Sequence, residues 1–429
     1  MASDSPVSHP KEWRVVQLGE IALKIGSGAT PRGGEEAYLS QRLNFALVRS
    51  QNVFDRHFDT SGLAFISDEQ AESLKGVVLQ PRDLLLNITG DGITFSRCCV
   101  VPNDVLPACV NQHVSIIRVK QDVADPGYVL SYLTHPATKN YIESFNAGGS
   151  RRAITKGHIE SFRIALPPVM EQRAIAHILD TLDDRIDLNG RMNEALEGMA
   201  RALFKSWFID FDPVRGKSEG RNPGLPKHLA DLFPDSLAES ELGKIPATWG
   251  VKRLGDLIEL AYGKALKEEN RRPGKVAVYG SNGQVGWHDE KLANAPGVIV
   301  GRKGNPGAVT WASTDFFAID TTFYVVPTGE CKSLYFLYYA LKAHDLASLG
   351  ADSAVPGLNR NMVYMSQQLV PSMPVLDAFD HRVRPIFERI QKGNEQSSSL
   401  SALRDTLLPK LISGELRLPD AERIVGEQM

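Results

Sequence analysis

Residues 9–21, HPKEWRVVQLGEI, and residues 245–257, IPATWGVKRLGDL, follow one pattern. Pro10, Trp13, Leu18, Gly19, Glu20 and Ile21 recur as Pro246, Trp249, Leu254, Gly255, Asp256 and Leu257 at a constant shift of 236. Chance rarely keeps Trp in register with Leu-Gly-acid, and a repeat constrains architecture ahead of any local reading. Farther on the shift is 204, with Ile154, Ile159, Leu166 and Pro167 answered by Leu358, Val363, Val370 and Pro371. The first copy therefore holds 32 more residues than the second, 236 less 204. Two units in one chain also suit a length of 429 residues, since single cores stop growing near ~250 residues.

Each copy opens with strand-like text and ends in a helix, which predicts an α+β fold. In the first copy VVLQPRDLLLNITGDG and VNQHVSIIRVK are β-rich runs broken by Gly and Pro; PGVIVGRKGNPGAV and IDTTFYVVP take comparable places in the second. From Pro167-Pro168 the chain runs to Phe208 without another proline, and its apolar period is seven. One row holds Ile175, Leu182, Asn189, Leu196 and Leu203; a second holds Leu179, Ile186, Asn193 and Ala200. The shift of 204 gives Phe379, Ile386, Gly393, Leu400 and Leu407, with Val383, Ile390, Ser397, Arg404 and Leu411 beside them. Two such stripes bury each other most cheaply, so the expectation is an intramolecular antiparallel coiled coil about 57 Å long, with a globular unit at either end. Asn189 and Asn193, opposite Gly393 and Ser397, would fix its register. Pro385 and Gly393 are expected to weaken or kink the second helix.

The organisation expected is a first unit over 1–167, a helix over 168–212, a connector over 213–248, a second unit over 249–374, a helix over 375–412 and a tail over 413–429. The connector, rich in Pro, Gly, Ser and charge, reads as a link with little core of its own.

Composition excludes wholesale disorder: 42% of residues are hydrophobic, 23% charged, and the net charge is -3. No apolar run approaches the ~20 residues that cross a bilayer, so the expected setting is cytoplasmic. Cys98, Cys99, Cys109 and Cys331 form no C-x-x-C pair and are expected to be reduced, packed and free of metal. A solitary methyltransferase would need Asn/Asp-Pro-Pro-aromatic or Pro-Cys with a Gly-rich loop; Asn222 and Asn305 each precede only one proline. The nearest phosphate-loop candidate, Gly216-Lys217-Ser218, has Phe211 where the first glycine belongs. No catalytic residue is assigned.

Two related units held apart and related by an approximate two-fold suit a DNA duplex, whose half-sites repeat with the helical turn. Residues 13–167 hold 16 Lys+Arg against 15 Asp+Glu and residues 249–374 hold 13 against 11, whereas 168–212 hold 5 against 9. Basic charge therefore avoids the helix. Arg, Asn and Gln make forked bonds to base edges, and Gly lets backbone approach phosphate. The candidate DNA contacts are Arg32, Arg49, Gln51, Asn111, Gln112, Arg151 and Arg152 in the first unit, with His113 and His158 as further groove candidates. In the second they are Tyr279, Ser281, Asn282, Arg302, Lys303, Asn305, Asn359 and Arg360. Alternatives of other classes are a stand-alone DNA methyltransferase or nuclease, and a two-lobed protein adaptor.

The two unit openings, the central run LPPVMEQRAIAHILDTLDDRIDLNGRMNEALEGMARALFKSWFIDFDP, FPDSLAESELGKIP before the second unit and the closing LRDTLLPKLISGEL together resemble the DNA-specificity subunits of type I restriction-modification enzymes. The resemblance spans nearly the whole chain. It implies two target-recognition domains, each reading one half of a split sequence, spaced by two antiparallel helices. It also implies that two modification subunits dock on the helices and carry S-adenosylmethionine and the adenine chemistry, that motor-nuclease restriction subunits join them, and that this chain binds no cofactor itself. It assigns no base-contacting residue.

Overall fold

The computed structural model describes residues 5–146, 152–349 and 357–427. The chain divides into two units, Met1–Leu188 with Gln396–Met429, and Asn189–Glu395.

In the first unit a four-stranded antiparallel sheet runs in the order Ala22–Ser27, Val114–Val119, Leu84–Asn87, Cys98–Val100. A three-stranded sheet places Phe45–Val48 between Ala108–Val110, parallel to it, and Ala64–Ile66, antiparallel to it. Leu84–Asn87 is buried along its whole length. That accounts for the unbroken run Leu84-Leu85-Leu86, because a strand covered on both faces does not alternate. Arg14–Gln17 pairs with Arg163–Leu166, tying the start of the unit to its end.

The second unit repeats this topology. Ile258–Tyr262, Thr322–Pro327, Gly297–Gly301 and Val309–Ala312 form the four-stranded antiparallel sheet. Val276–Gly280 lies between Phe316–Ala318, parallel, and Gly283–His288, antiparallel. Gly250–Arg253 pairs with Gln367–Val370. The local devices repeat as well: Thr155 and Asn359, 204 apart, each cap a short helix by accepting backbone N–H groups.

Of the 32 extra residues of the first copy, 18 lie in one interval. The strands starting at Phe45 and Leu84 are 39 residues apart, while their counterparts starting at Val276 and Gly297 are 21 apart. This insertion holds the hairpin of Val53–Phe54 with His57–Phe58 and the helix Asp68–Ser73.

The two long helices, Val169–Phe208 and Met373–Ile412, are 40 residues each and begin and end 204 residues apart. The second is continuous through Pro385 and Gly393. In the first unit Ile175, Ile178, Leu179 and Leu182 share one core with Leu400, Leu407, Leu408 and Leu411, and Asp183 pairs with Arg404. In the second unit Phe204, Trp207 and Phe208 meet Phe379, and Val383 and Phe387 join the same core. There Asn193 Nδ2 donates to Asn394 Oδ1 at 2.8 Å, and a Cβ on Gly393 would lie 2.6 Å from Asn193 Oδ1. Rising numbers in one helix thus meet falling numbers in the other, which is antiparallel packing. Of the remaining seam positions, Asn189 is buried, and Ile186, Leu196, Leu203, Ile386 and Ile390 are half-buried.

Two segments differ from expectation. The stretch after Phe208 is folded, with Phe211, Val214, Phe233 and Ile245 in the second unit's core and Trp207 edge-on to Phe233 at 5.0 Å. Its few aromatic and aliphatic side chains suffice to anchor a polar segment, because each large ring removes much apolar area from water. The last residues form a helix, Leu418–Gly426, that buries Ala421 and Val425 in the first unit. All four cysteines are buried and unpaired. No helix among the described residues is long and apolar enough to cross a membrane.

Candidate nucleic-acid interface

In both units the four-stranded sheet ends in loops that gather polar side chains. The strand Ala22–Ser27 leads into Gly28, whose N–H donates to Asn111 O at 3.1 Å. A Cβ there would lie 1.8 Å from Val110 O, so only glycine permits this approach. The contact brings Thr30 beside the loop 111–113. Thr30 Oγ1 donates to Gln112 Oε1 at 2.6 Å. Gln112 Nε2 lies 3.2 Å from His113 Nε2, and His113 Nδ1 lies 2.6 Å from Thr89 Oγ1. Four side chains from three segments thereby form one polar, hydrogen-bonded row. Beside it Arg152 pairs backbone to Gly90 and sends Nη1 to Glu143 Oε1 at 2.6 Å. Asp91 turns the neighbouring loop; hydrogen bonds from the Thr94 N–H and hydroxyl and from the Ile93 N–H hold its carboxyl below the ordinary range.

The corresponding place in the second unit is cationic and aromatic. The Arg302 guanidinium stands 5.1 Å from the centre of the Tyr262 ring and 5.9 Å from that of Phe323. Arg360 stands 4.9 Å from Tyr262 and 5.6 Å from Tyr364. Arg302 Nη1 donates to Asp320 O at 3.0 Å. Among the described residues neither arginine has an ion pair. Tyr262 remains half exposed, at 50%. Gly301 passes so close to Asn305 O that a Cβ would lie 2.1 Å from it, and Gly304 takes a left-handed φ of 79. This shapes the exposed turn bearing Lys303 and Asn305.

The candidate contacts therefore separate into those that are exposed and those that are buried or spent on holding loops and helices. Arg32, Gln51 and Gln112 are exposed in the first unit; Asn282, Lys303 and Asn305 are exposed in the second, where Ser281 is partly buried beside the turn. Asn111 requires correction: it is buried at 4%, and its Oδ1 accepts the His113 N–H at 3.0 Å, so it shapes the loop that presents Gln112. Tyr279 is likewise buried, edge-on to Phe316, and burial pushes its hydroxyl pKa up. Asn359 spends its Oδ1 on the N–H groups of Asn361 and Met362. Arg49 braces two loops, with Nη1 on Glu35 at 2.8 Å and Nη2 on Gly62 O at 2.7 Å. Arg151 lies outside the described residues. Tyr262, Thr30 and Thr89 were not among the sequence candidates. Tyr262 had a usable signal, an aromatic residue where the other copy reads Gly-Ser.

A profile described as the type I restriction modification DNA specificity domain matches residues 10–198 and 246–363. The type I restriction enzyme HindI specificity subunit of Haemophilus influenzae is 25% identical over 94% of this chain and 100% of its own. The MjaIX specificity subunit of Methanocaldococcus jannaschii is 23% identical over 96% and 95%. Among solved structures, the S subunit of a type I restriction-modification system from M. genitalium matches with a TM-score of 0.54 at 15% identity, covering 95% of this chain and 99% of that one, which is a likeness of fold. With the repeat, the doubled topology and a profile matching most of its length, the chain belongs to the type I restriction-modification DNA-specificity family.

Proposed function

We propose that this chain is the non-catalytic, sequence-specific DNA-binding subunit of a type I restriction-modification enzyme, each repeated region reading one half of a bipartite duplex target. The observation that carries the reading is that one topology occurs twice and ends each time in a polar loop cluster, built of Thr, Gln and His in one unit and of arginines on aromatic rings in the other. A shared frame with divergent tips suits an asymmetric target, because the frame sets the approach and the tip selects the bases. The long helices dock two modification subunits, which hold S-adenosylmethionine and perform the methyl transfer; restriction subunits join that assembly. The setting is the cytoplasm, with the DNA.

The test is methylation mapping by single-molecule sequencing of cells expressing this chain with its modification subunits. The expected result is one methylated motif made of two short specific blocks with an unspecific gap. A motif of one block, or none, overturns the reading. Methyl transfer or cleavage by the purified chain alone assigns the chemistry here instead, and an assembly that protects no two-part site on DNA is a protein adaptor.

A further inference from the structure

The two units fold alike, so a feature that only one carries is not required by the fold. In the first unit Ile88 N donates to His113 O and Ile154 N to Ile88 O, both at 3.0 Å. In the second the same ladder runs from Arg302 N to Thr321 O and from Leu358 N to Arg302 O, both at 2.9 Å. Arg302 therefore occupies the place of the buried Ile88. Ser27 lies opposite Ser115 in the first unit; its counterpart Tyr262 lies opposite Phe323 in the second. Lys156 and Arg360, 204 apart, each open a short helix. Three positions have changed together, and their new side chains meet in one stack.

We infer that Arg302, held against Tyr262, is the guanine-reading residue of the second half-site, with Arg360 on the same ring as its supporting cation. This rests on the DNA-reading function proposed above and specifies its chemistry. A guanidinium presents five N–H donors in a planar fork, and the best match among base edges is the O6 and N7 pair of guanine in the major groove. A phosphate contact tolerates a mobile cation, whereas base readout needs an oriented one. Arg302 is oriented three times over: by the backbone of its ladder, by the bond to Asp320 O, and by two rings. Lys303, next to it in the chain, and Lys264, two residues beyond Tyr262, are exposed and can serve phosphates. The first unit's row of Thr, Gln and His contains no guanidinium fork.

The experiment uses the chain assembled with its modification subunits and duplexes carrying the motif found by methylation mapping. Each guanine of the second half-site is replaced in turn by 7-deazaguanine, which removes only the N7 acceptor. One of these replacements is expected to weaken wild-type binding on the order of tenfold to a hundredfold. With Arg302→Gln the sensitivity at that guanine disappears and the motif relaxes there, while preferences in the first half-site persist. Arg302→Lys keeps the charge but not the planar, ring-stacked fork and weakens that discrimination, whereas simple attraction would be retained in full. A second half-site without guanine, or variants that weaken specific and random duplexes equally with a shallower salt dependence, overturns the inference and leaves the two-block reading standing. Absence of any two-block motif removes both.

Discussion

Replacing Arg56 tests whether one buried cation fastens the inserted hairpin of the first unit to its long helices. The residue sits at a left-handed φ of 61, and its side chain is only 3% exposed. Its Nε donates to Asp183 Oδ2 at 2.5 Å, Nη1 to Ser131 Oγ at 2.9 Å and Nη2 to Asp180 Oδ1 at 3.4 Å. Asp183 also accepts from Arg404 Nη1 at 2.7 Å, so one carboxylate joins the hairpin, the first helix and the second. Breaking a buried pair from one side costs about 3–5 kcal/mol. Arg56→Ala leaves Asp183 with Arg404 and Asp180 half exposed, which places its cost at the lower end, about 3 kcal/mol. Asp183→Asn removes the charge that both arginines share and sets an NH2 donor against one of them, and is expected to cost more, about 4–5 kcal/mol. Arg56→Gly loses the same bonds but accepts the left-handed backbone, so it should be about 1 kcal/mol milder than alanine. Two units preclude a single unfolding free energy. Native-state hydrogen exchange therefore suits: amides of Leu84–Asn87 and Cys98–Val100 should lose protection, with Gly297–Gly301 as internal control. A loss below about 0.5 kcal/mol for Arg56→Ala, or alanine milder than glycine, would refute the clamp.

Burial raises the Asp180 carboxyl to about 6, with Asp183, Asp125 and Asp184 adding to the rise and Arg56 opposing it. A raised carboxyl binds its proton more tightly when folded, so ionisation costs stability above about pH 6 and the cost fades as pH falls toward 4. Asp180→Asn should stabilise the first unit by about 1 kcal/mol at pH 8, the shift being discounted because the side chain is 46% exposed; a gain that is equal at pH 4 would count against this cause. Leu182→Ala, in a fully buried seam position, should cost about 2–5 kcal/mol by denaturant or exchange measurements, and a cost under 1 would mean that the seam is not packed. Exchanging residues 249–374 for the matching region of a relative should change one block of the methylated motif; alteration of both would end independent readout. Deleting one heptad from each long helix should change the preferred gap between blocks or abolish assembly, and an unchanged gap would argue against the helices as spacer.

The helices were legible because their signal is local. A heptad row needs only neighbours within the same segment, and the shift of 204 carried the reading from one helix to the other, Val169–Phe208 to Met373–Ile412. The matching strands followed from the same repeat. The site was less legible, since a side chain's availability depends on partners far away in the chain. Asn111 and Gln112 are adjacent and chemically alike, yet one is buried beneath the loop and the other exposed. The segment 213–248 read as a link because it is rich in Pro, Gly, Ser and charge, and only packing showed Val214 and Phe233 in the second unit's core, Phe233 against Trp249.

Self-similarity in the sequence alone determined that there are two copies of one unit, each followed by a long helix, since a repeated pattern of burial is written residue by residue. Tertiary structure alone decided which of the polar residues converge. Tyr262, Arg302 and Arg360 meet because strand pairing brings Tyr262 opposite Phe323 and Gly301 opposite Thr322. Such long-range register is set by the whole sheet and its covered faces, and no local pattern encodes it.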